Sequence, residues 1–268
     1  MPNGISVIMA CYNCEETLNK AIDSIIVQTY SDWVMICCDD GSTDNTYKIL
    51  NEYKSKYPDK FVIIRNEQNK KLAYSLNRCL EYANTEFVAR MDADDESLPE
   101  RFEKQIQFLS EHPECIVCGA KIRFINDFSG REHVSNVDET PDRFTLHKHI
   151  PFNHATIMCR KAMYDVLDGY TDIKTTVRCE DKDLWYRFFS HGLAGKNLNE
   201  PLYIIHENEA LVYRITPRNR WNIFITDIRG YRLLHYPWYW YYKPIVNLMK
   251  IFVPKRMVIW YFKRFRNK

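Results

Sequence analysis

Four short apolar runs, at residues 5–10, 33–39, 61–65 and 87–91, each end in a polar cluster, and amphipathic stretches separate them. Runs this short and this rich in β-branched and aromatic residues read as strands. The stretches between, roughly 15–28, 44–57 and 72–83, carry helical spacing, and Ser42 and Thr43 are capping candidates for the second. Strand, helix, strand, repeated, constrains the chain to right-handed crossovers and a mainly parallel sheet flanked by helices. A nucleotide-type ligand binds at the carboxyl edge of such a sheet. The polar clusters "ACYN", "DDGSTD", "RNEQNKK" and "MDADDE" all fall at that edge, where they can converge on one ligand.

The last cluster sets Asp92, Asp94 and Asp95 within four positions behind a buried-looking strand. Carboxylates that close repel one another and cost stability unless a cation or hydrogen-bond donors sit among them. An EF-hand calcium loop needs Gly at its sixth position, which counted from Asp92 is Ser97, and Pro99 intrudes. A phosphatase-type aspartate nucleophile has no matching partner motif in the chain. A metal-assisted diphosphate site remains, alongside the plainer reading of a solvated acidic turn capping the next helix. Residues 97–100, "SLPE", have the form of a capping box, which places that helix from there to about residue 112. Further on, 116–125 and 154–158 read as strands, and "CEDKDLWYRFFSHG" as a helix with an acidic start.

With 268 residues, 46% hydrophobic and 27% charged, the chain accommodates one large globular α/β domain or a domain with an appendage. Nine cysteines, two of them adjacent at Cys37 and Cys38, and no apolar segment behind a basic start point to a reducing cytoplasm. The pairs Cys11–Cys14 and Cys115–Cys118 are far apart in sequence, and buried free thiols are expected rather than zinc.

"VIMACYN", "DDGSTDNT", "MDADD" and "CEDKDLWYRF" occur in an order and spacing that resemble the family 2 inverting glycosyltransferases of the GT-A fold, over about residues 5–211. The resemblance implies a Rossmann-like nucleotide-diphospho-sugar transferase fold, with the loop after the first strand meeting the nucleobase and ribose through Ala10, Tyr12 and Asn13. It implies Asp39, beside Gly41, as acceptor of the uracil N3–H. Asp92-Ala93-Asp94 becomes the DxD motif, with Asp92 toward the ribose and diphosphate and Asp94 binding Mn²⁺ or Mg²⁺. Glu180-Asp181 corresponds to the ED motif, Asp181 being the general base and Glu180 its neighbour at the acceptor. Where the family pattern NxGxxxARNxG runs, this chain reads "NKKLAYSLNRC". Asn69 and Asn77 are kept, Lys71 stands at the first glycine, and its ammonium can meet diphosphate charge. "LYIIHENEA" keeps His206 as an extra metal-ligand candidate, and His154 is an acceptor-side candidate.

The chain changes character after Asp227, beyond which no acidic residue occurs and ten Lys and Arg residues give +10, leaving −8 on residues 1–227. Lysines and prolines break the aromatic run from Tyr236 to Trp260, so no spanning helix of ~20 apolar residues is expected. Aromatic bodies with basic flanks suit the headgroup region of an anionic membrane. The expected organisation is a catalytic domain at 1–227, with a nucleotide-sugar half at 1–98 and an acceptor half at 99–227. A basic aromatic segment at 228–268 follows as a candidate anchor, the alternative being an ordinary subdomain packed on the core. The function expected from the resemblance is transfer of a hexose or N-acetylhexosamine from a UDP-sugar to a saccharide acceptor, lipid-linked in bacterial surface polysaccharide synthesis (O-antigen, capsule or lipooligosaccharide). The enzyme would be peripheral on the inner face of the cell membrane. No nucleic-acid module is recognised. The competing readings are a nucleotidyltransferase on a similar sheet and a non-catalytic, membrane-associated saccharide-binding protein.

Overall fold

The computed structural model describes residues 4–126, 130–207 and 216–252. The four runs form β1 (Ile5–Cys11), β2 (Trp33–Asp39), β3 (Phe61–Arg65) and β4 (Phe87–Arg90), joined by α1 (Leu18–Ile26), α2 (Thr46–Lys56) and α3 (Leu72–Glu81). All four strands are parallel, with Ile5 opposite both Trp33 and Phe87. Next come β5 (Asp95–Ser97), α4 (Arg101–Glu111), β6 (Val117–Asn126), β7 (Glu132–Val134), α5 (Thr145–Lys148), β8 (Met158–Arg160), α6 (Ala162–Leu167), α7 (Glu180–Ser190) and β9 (Gly195–Glu207). One mixed sheet results, in the order β3-β2-β1-β4-β8-β6-β9-β5 with β7 on β6. The described chain closes with α8 (Pro217–Leu233) and α9 (Tyr242–Met249).

The pleat sorts the core into two layers. Ile5, Val7 and Met9 of β1 pack with α1, α2 and α4, whereas Ile8 packs with α3, α6 and α7. Adjacent Cys37 and Cys38 go to opposite layers for the same reason. All nine cysteines are free thiols.

Three expectations change. Residues 97–100 do not form a capping box: Ser97 ends β5 opposite Tyr203, its Oγ accepts from Gln28 Nε2 at 3.2 Å, and α4 starts after Glu100 without a side-chain cap. Pairing with β9 thus overrides the local signal. Residues 154–156 form a 3-10 turn, with β8 beginning only at Met158. The boundary drawn at 227/228 from charge falls inside α8, so the basic segment is continuous with a helix packed on the catalytic domain.

That packing is close. Gly230 of α8 lies so near the Tyr186 ring of α7 that an added Cβ would sit 2.2 Å from ring carbons, and both residues are buried. Gly230→Ala is therefore expected to lower the urea midpoint by about 1–3 kcal/mol of stability despite the better helix propensity of Ala. An unchanged midpoint would show that α8 can lift off α7 at no cost.

Candidate active site

At the carboxyl edge of the parallel strands a cleft of ≈ 930 Å³ is lined by the loop after β1, by Asn69 and Lys71, by residues 92–95 and by a wall at 172–180. Ala10, Tyr12 and Asn13 line it, Tyr12 with an exposed ring. Most of "DDGSTDNT" holds that first loop in place. Asn13 N–H donates to Ser42 Oγ at 3.0 Å, Cys14 N–H to Thr46 Oγ1 at 2.9 Å and Glu15 N–H to Asp44 Oδ2 at 3.1 Å. In return Thr43 N–H donates to Asn13 Oδ1 and Asn45 N–H to Glu15 Oε2, each at 2.9 Å. Ser42 and Thr43 are thus bound to the neighbouring loop, and Asn45 stands at the start of α2.

Asp39 is not where a nucleobase could meet it. Its side chain is fully buried, pairs with Arg65 Nε at 3.0 Å and accepts from Ser42 N–H at 3.2 Å. The β2 pleat sends it to the same side as Trp33, Met35 and Cys37, away from the cleft. Asp40 lines the cleft instead. Its Oδ1 accepts from Asn66 Nδ2 and Lys70 N–H, both at 2.8 Å, and its Oδ2 from Lys71 N–H at 2.9 Å. A carboxylate has about four acceptor positions, so one on Oδ2 is left for a donor in the cleft. Gly41 is not on the cleft wall either: at φ +73 it lies against the Gln68 backbone, where a Cβ would sit 2.8 Å from it.

Lys71 takes φ +79, a conformation that glycine adopts without cost, at the position where the resemblance expects glycine. Here the paired Lys70 and Lys71 amides on Asp40 hold it, and its side chain stays on the cleft wall. Asn69 lines the cleft and its Oδ1 accepts from Lys71 N–H at 3.2 Å. Asn77 works at a distance from the cleft: it bonds both backbone groups of Tyr170 at 2.8 Å, tying α3 to the segment before α7.

Asp92, Asp94 and Asp95 bring carboxylate oxygens within 4.8 Å of one another. Ala93 is buried in between, and its carbonyl accepts from Thr17 Oγ1 at 2.8 Å, fixing the turn. Burial, then Asp92 and Asp94, push the Asp95 carboxyl up to about 8. Part of the missing positive charge is Arg90, buried at the end of β4 and ion-paired with Asp92. Burial opposes its charge, but Asp92 and Tyr203 more than offset this and hold its pKa above the ordinary value. Three hard oxygen donors on one turn, where burial and mutual repulsion raise the Asp95 pKa, fit a divalent cation.

His206 lines the cleft but does not belong to that convergent set. Its Nε2 lies 2.6 Å from Glu96 Oε1 and 3.0 Å from Lys20 Nζ, and Lys20 also pairs with Glu96 at 2.8 Å. Asp92 and Asp95 lie beside Asp94 as further candidate ligands, while His206 stands on the same cleft wall.

The opposite wall is the start of α7. Glu180 is buried and lines the cleft; Asp181, half-buried, follows it but is not on the cleft lining, and its Oδ1 accepts from Lys182 N–H at 2.7 Å. Burial raises the pKa of both, and the Arg90 charge tempers each. Arg178, in the left-handed region at φ +67, joins this wall. His154 is a structural histidine: its Nε2 lies 2.8 Å from Tyr170 Oη, which bonds Tyr164 Oη at 2.7 Å, and burial, then Arg90, hold it neutral.

A nucleotide-sized cleft at the edge of a mainly parallel sheet, with an acid cluster on one side and Glu180 on the other, defines a nucleotide-sugar transferase architecture. The chain belongs to glycosyl transferase family 2, whose model matches residues 6–166. EpsE of Bacillus subtilis (strain 168) is 44% identical over 204 residues, covering 76% of this chain and 73% of EpsE. The Escherichia coli UDP-Glc:alpha-D-GlcNAc-diphosphoundecaprenol beta-1,3-glucosyltransferase WfaP is 27% identical over 208 residues, 75% of this chain and 77% of WfaP. The crystal structure of S. aureus TarS residues 1–349 with UDP superposes at a TM-score of 0.69 and 18% identity, covering 99% of this chain and 73% of that one. The fold is GT-A.

Proposed function

We propose that the protein is an inverting, UDP-sugar-dependent glycosyltransferase that adds a hexose or N-acetylhexosamine to a lipid-linked saccharide in bacterial surface polysaccharide synthesis. The observation that carries the reading is the convergence of Asp92, Asp94 and Asp95 in the cleft that Tyr12 and Asp40 also line. WfaP, which uses UDP-Glc and forms a beta linkage on a diphosphoundecaprenol acceptor, supports the donor and acceptor classes, and TarS, which binds UDP, supports the donor.

In this reading Tyr12 offers its ring to the base and Asp40 accepts the base imide N–H, which suits uracil. A divalent cation, Mn²⁺ or Mg²⁺, held by Asp92, Asp94 and Asp95 would supply Lewis-acid compensation of charge on the departing diphosphate. Lys71 and Arg178 stand on the cleft wall as cations for the remaining phosphate charge. Asp181 takes the proton of the acceptor hydroxyl as that oxygen bonds to the anomeric carbon and the bond to UDP breaks. Glu180 orients the acceptor beside it. A single attack from the face opposite UDP inverts the anomeric centre.

Calorimetric titration of UDP with and without Mn²⁺, into wild type and Asp94→Ala, tests the reading. Binding in Mn²⁺ is expected to weaken roughly tenfold or more in the variant, as one charge-assisted ligand is lost. UDP that binds equally with and without Mn²⁺, or equally to both proteins, would remove the acid cluster from the donor site. Tight GDP binding in place of UDP would move the donor to another nucleotide.

A further inference from the structure

Beyond α8 the chain turns an apolar surface outward. Tyr231, Leu234 and Tyr236 are buried and dock this segment on the domain. Past that anchor, Trp238 is 84% exposed and Phe252 78%. Between them α9 carries Tyr242, Ile245, Val246 and Met249, all 51–60% exposed. These four occupy positions i, i+3, i+4 and i+7, one face of a helix. Pro244, buried, and Leu248, partly buried, take the inner face. The helix therefore has an apolar inside, as packing demands, and an apolar outside as well, which a surface helix in water does not need.

Charge identifies the occupant. Residues 216–252 contain Arg218, Arg220, Arg229, Arg232, Lys243 and Lys250 but a single acid, Asp227, which is buried and ion-paired with Lys182. No carboxylate in this segment reaches solvent, so a symmetric contact between two copies of the face would set cations against cations with nothing to pair them. The sequence that follows, residues 253–268, adds six cations and no acid. Indole and phenol rings with aliphatic side chains, on a segment whose exposed charges are Lys and Arg, match the headgroup and upper acyl region of an anionic bilayer. Among the described residues no helix is long and apolar enough to cross a membrane.

We propose that the outer face of α9, with Trp238 and Phe252, is a docking surface for an anionic lipid bilayer. The proposal does not depend on the glycosyl-transfer reading. Where both hold, docking confines the cleft to the surface on which a lipid-linked acceptor resides.

The test is flotation of the full chain with vesicles of phosphatidylcholine alone and of an equimolar mixture with phosphatidylglycerol, without donor or metal. The chain should float with the mixed vesicles and less with the neutral ones, and binding should fall as salt is raised. Ile245→Ser/Val246→Ser/Met249→Ser should weaken binding by roughly tenfold or more. Arg232→Gln/Lys250→Gln should weaken it about fivefold per charge removed. All five side chains are exposed, so both variants should keep the wild-type circular dichroism and melting temperature. Three results would overturn the proposal: wild type that fails to float with anionic vesicles, a triple variant that floats as well as wild type, or a lipid-free dimer that the triple variant breaks and that does not float. The last would assign the face to a second copy of the chain.

Discussion

Asp181→Asn should lower turnover about 10³-fold while leaving the UDP affinity in Mn²⁺ unchanged. Asn keeps the side-chain shape and can still accept from Lys182 N–H, the bond that orients Asp181 at the start of α7. It cannot take a proton, so only the step in which the acceptor oxygen loses its hydrogen is affected. The pH profile gives a second readout. Burial raises the Asp181 pKa above 3.8, so the base is proton-free only above that raised value. Wild-type turnover should therefore fall as pH drops through it, and the residual rate of the variant should lack that limb. Glu180→Gln separates the roles of the pair: it should raise the acceptor KM more than it lowers kcat. If Glu180→Gln removes the limb and Asp181→Asn does not, Glu180 is the base.

The parallel half of the fold was legible because its code is local. Runs 33–39 and 61–65 became β2 and β3 residue for residue, since a buried parallel strand is written as an apolar run with polar ends. Strand β5 had no such code. Asp95–Ser97 is extended only because Tyr203 and Ile205 of β9 pair with it from more than a hundred positions away, and the local capping pattern of Ser97 lost to that pairing. The same distinction divides the site. The order of the four motifs points to the cleft, but of the adjacent Asp39 and Asp40 only Asp40 lines it. The alternation of Trp33, Met35 and Cys37 carries the correction, since it assigns Asp39 to the α2 side of the sheet. Lys71 stands at a position where the resemblance expects glycine, and only the backbone, at φ +79 and held by Asp40, shows why. Arg90 had no sequence signal at all, because an arginine in an apolar strand reads as an interruption.

Arg90→Met should destabilise the protein by about 3–5 kcal/mol, and by more at pH 9 than at pH 6. The guanidinium sits at the end of β4, whose backbone N–H donates to Ile157 O at 3.0 Å, and it pairs with Asp92. Its charge also bears on Asp95, Glu180 and Asp181, lowering the pKa of each against the effect of burial. One buried cation thus bears on the acid cluster and on both carboxylates at the start of α7. Nearby Arg101 does not replace it: Arg101 Nη2 is committed to the carbonyls of Arg90 at 2.9 Å and Ile157 at 3.1 Å, and burial lowers its own pKa to about 10. The pH sign follows from linkage. A carboxyl whose folded pKa is raised binds its proton more tightly in the folded state, so its contribution to stability falls as pH rises from the unfolded value toward the folded one, for Asp95 from 3.8 to about 8. Removing Arg90 raises those folded values further and extends the loss to higher pH, whereas below the window protonation spares the variant. Urea midpoints of wild type and variant at pH 6 and pH 9, in metal-free buffer, measure this. Arg90→Lys, which keeps the charge and loses the fork, should recover part of the loss. A loss of the same size at both pH values would reduce Arg90 to a packing residue and leave the carboxylates of the two walls electrostatically independent.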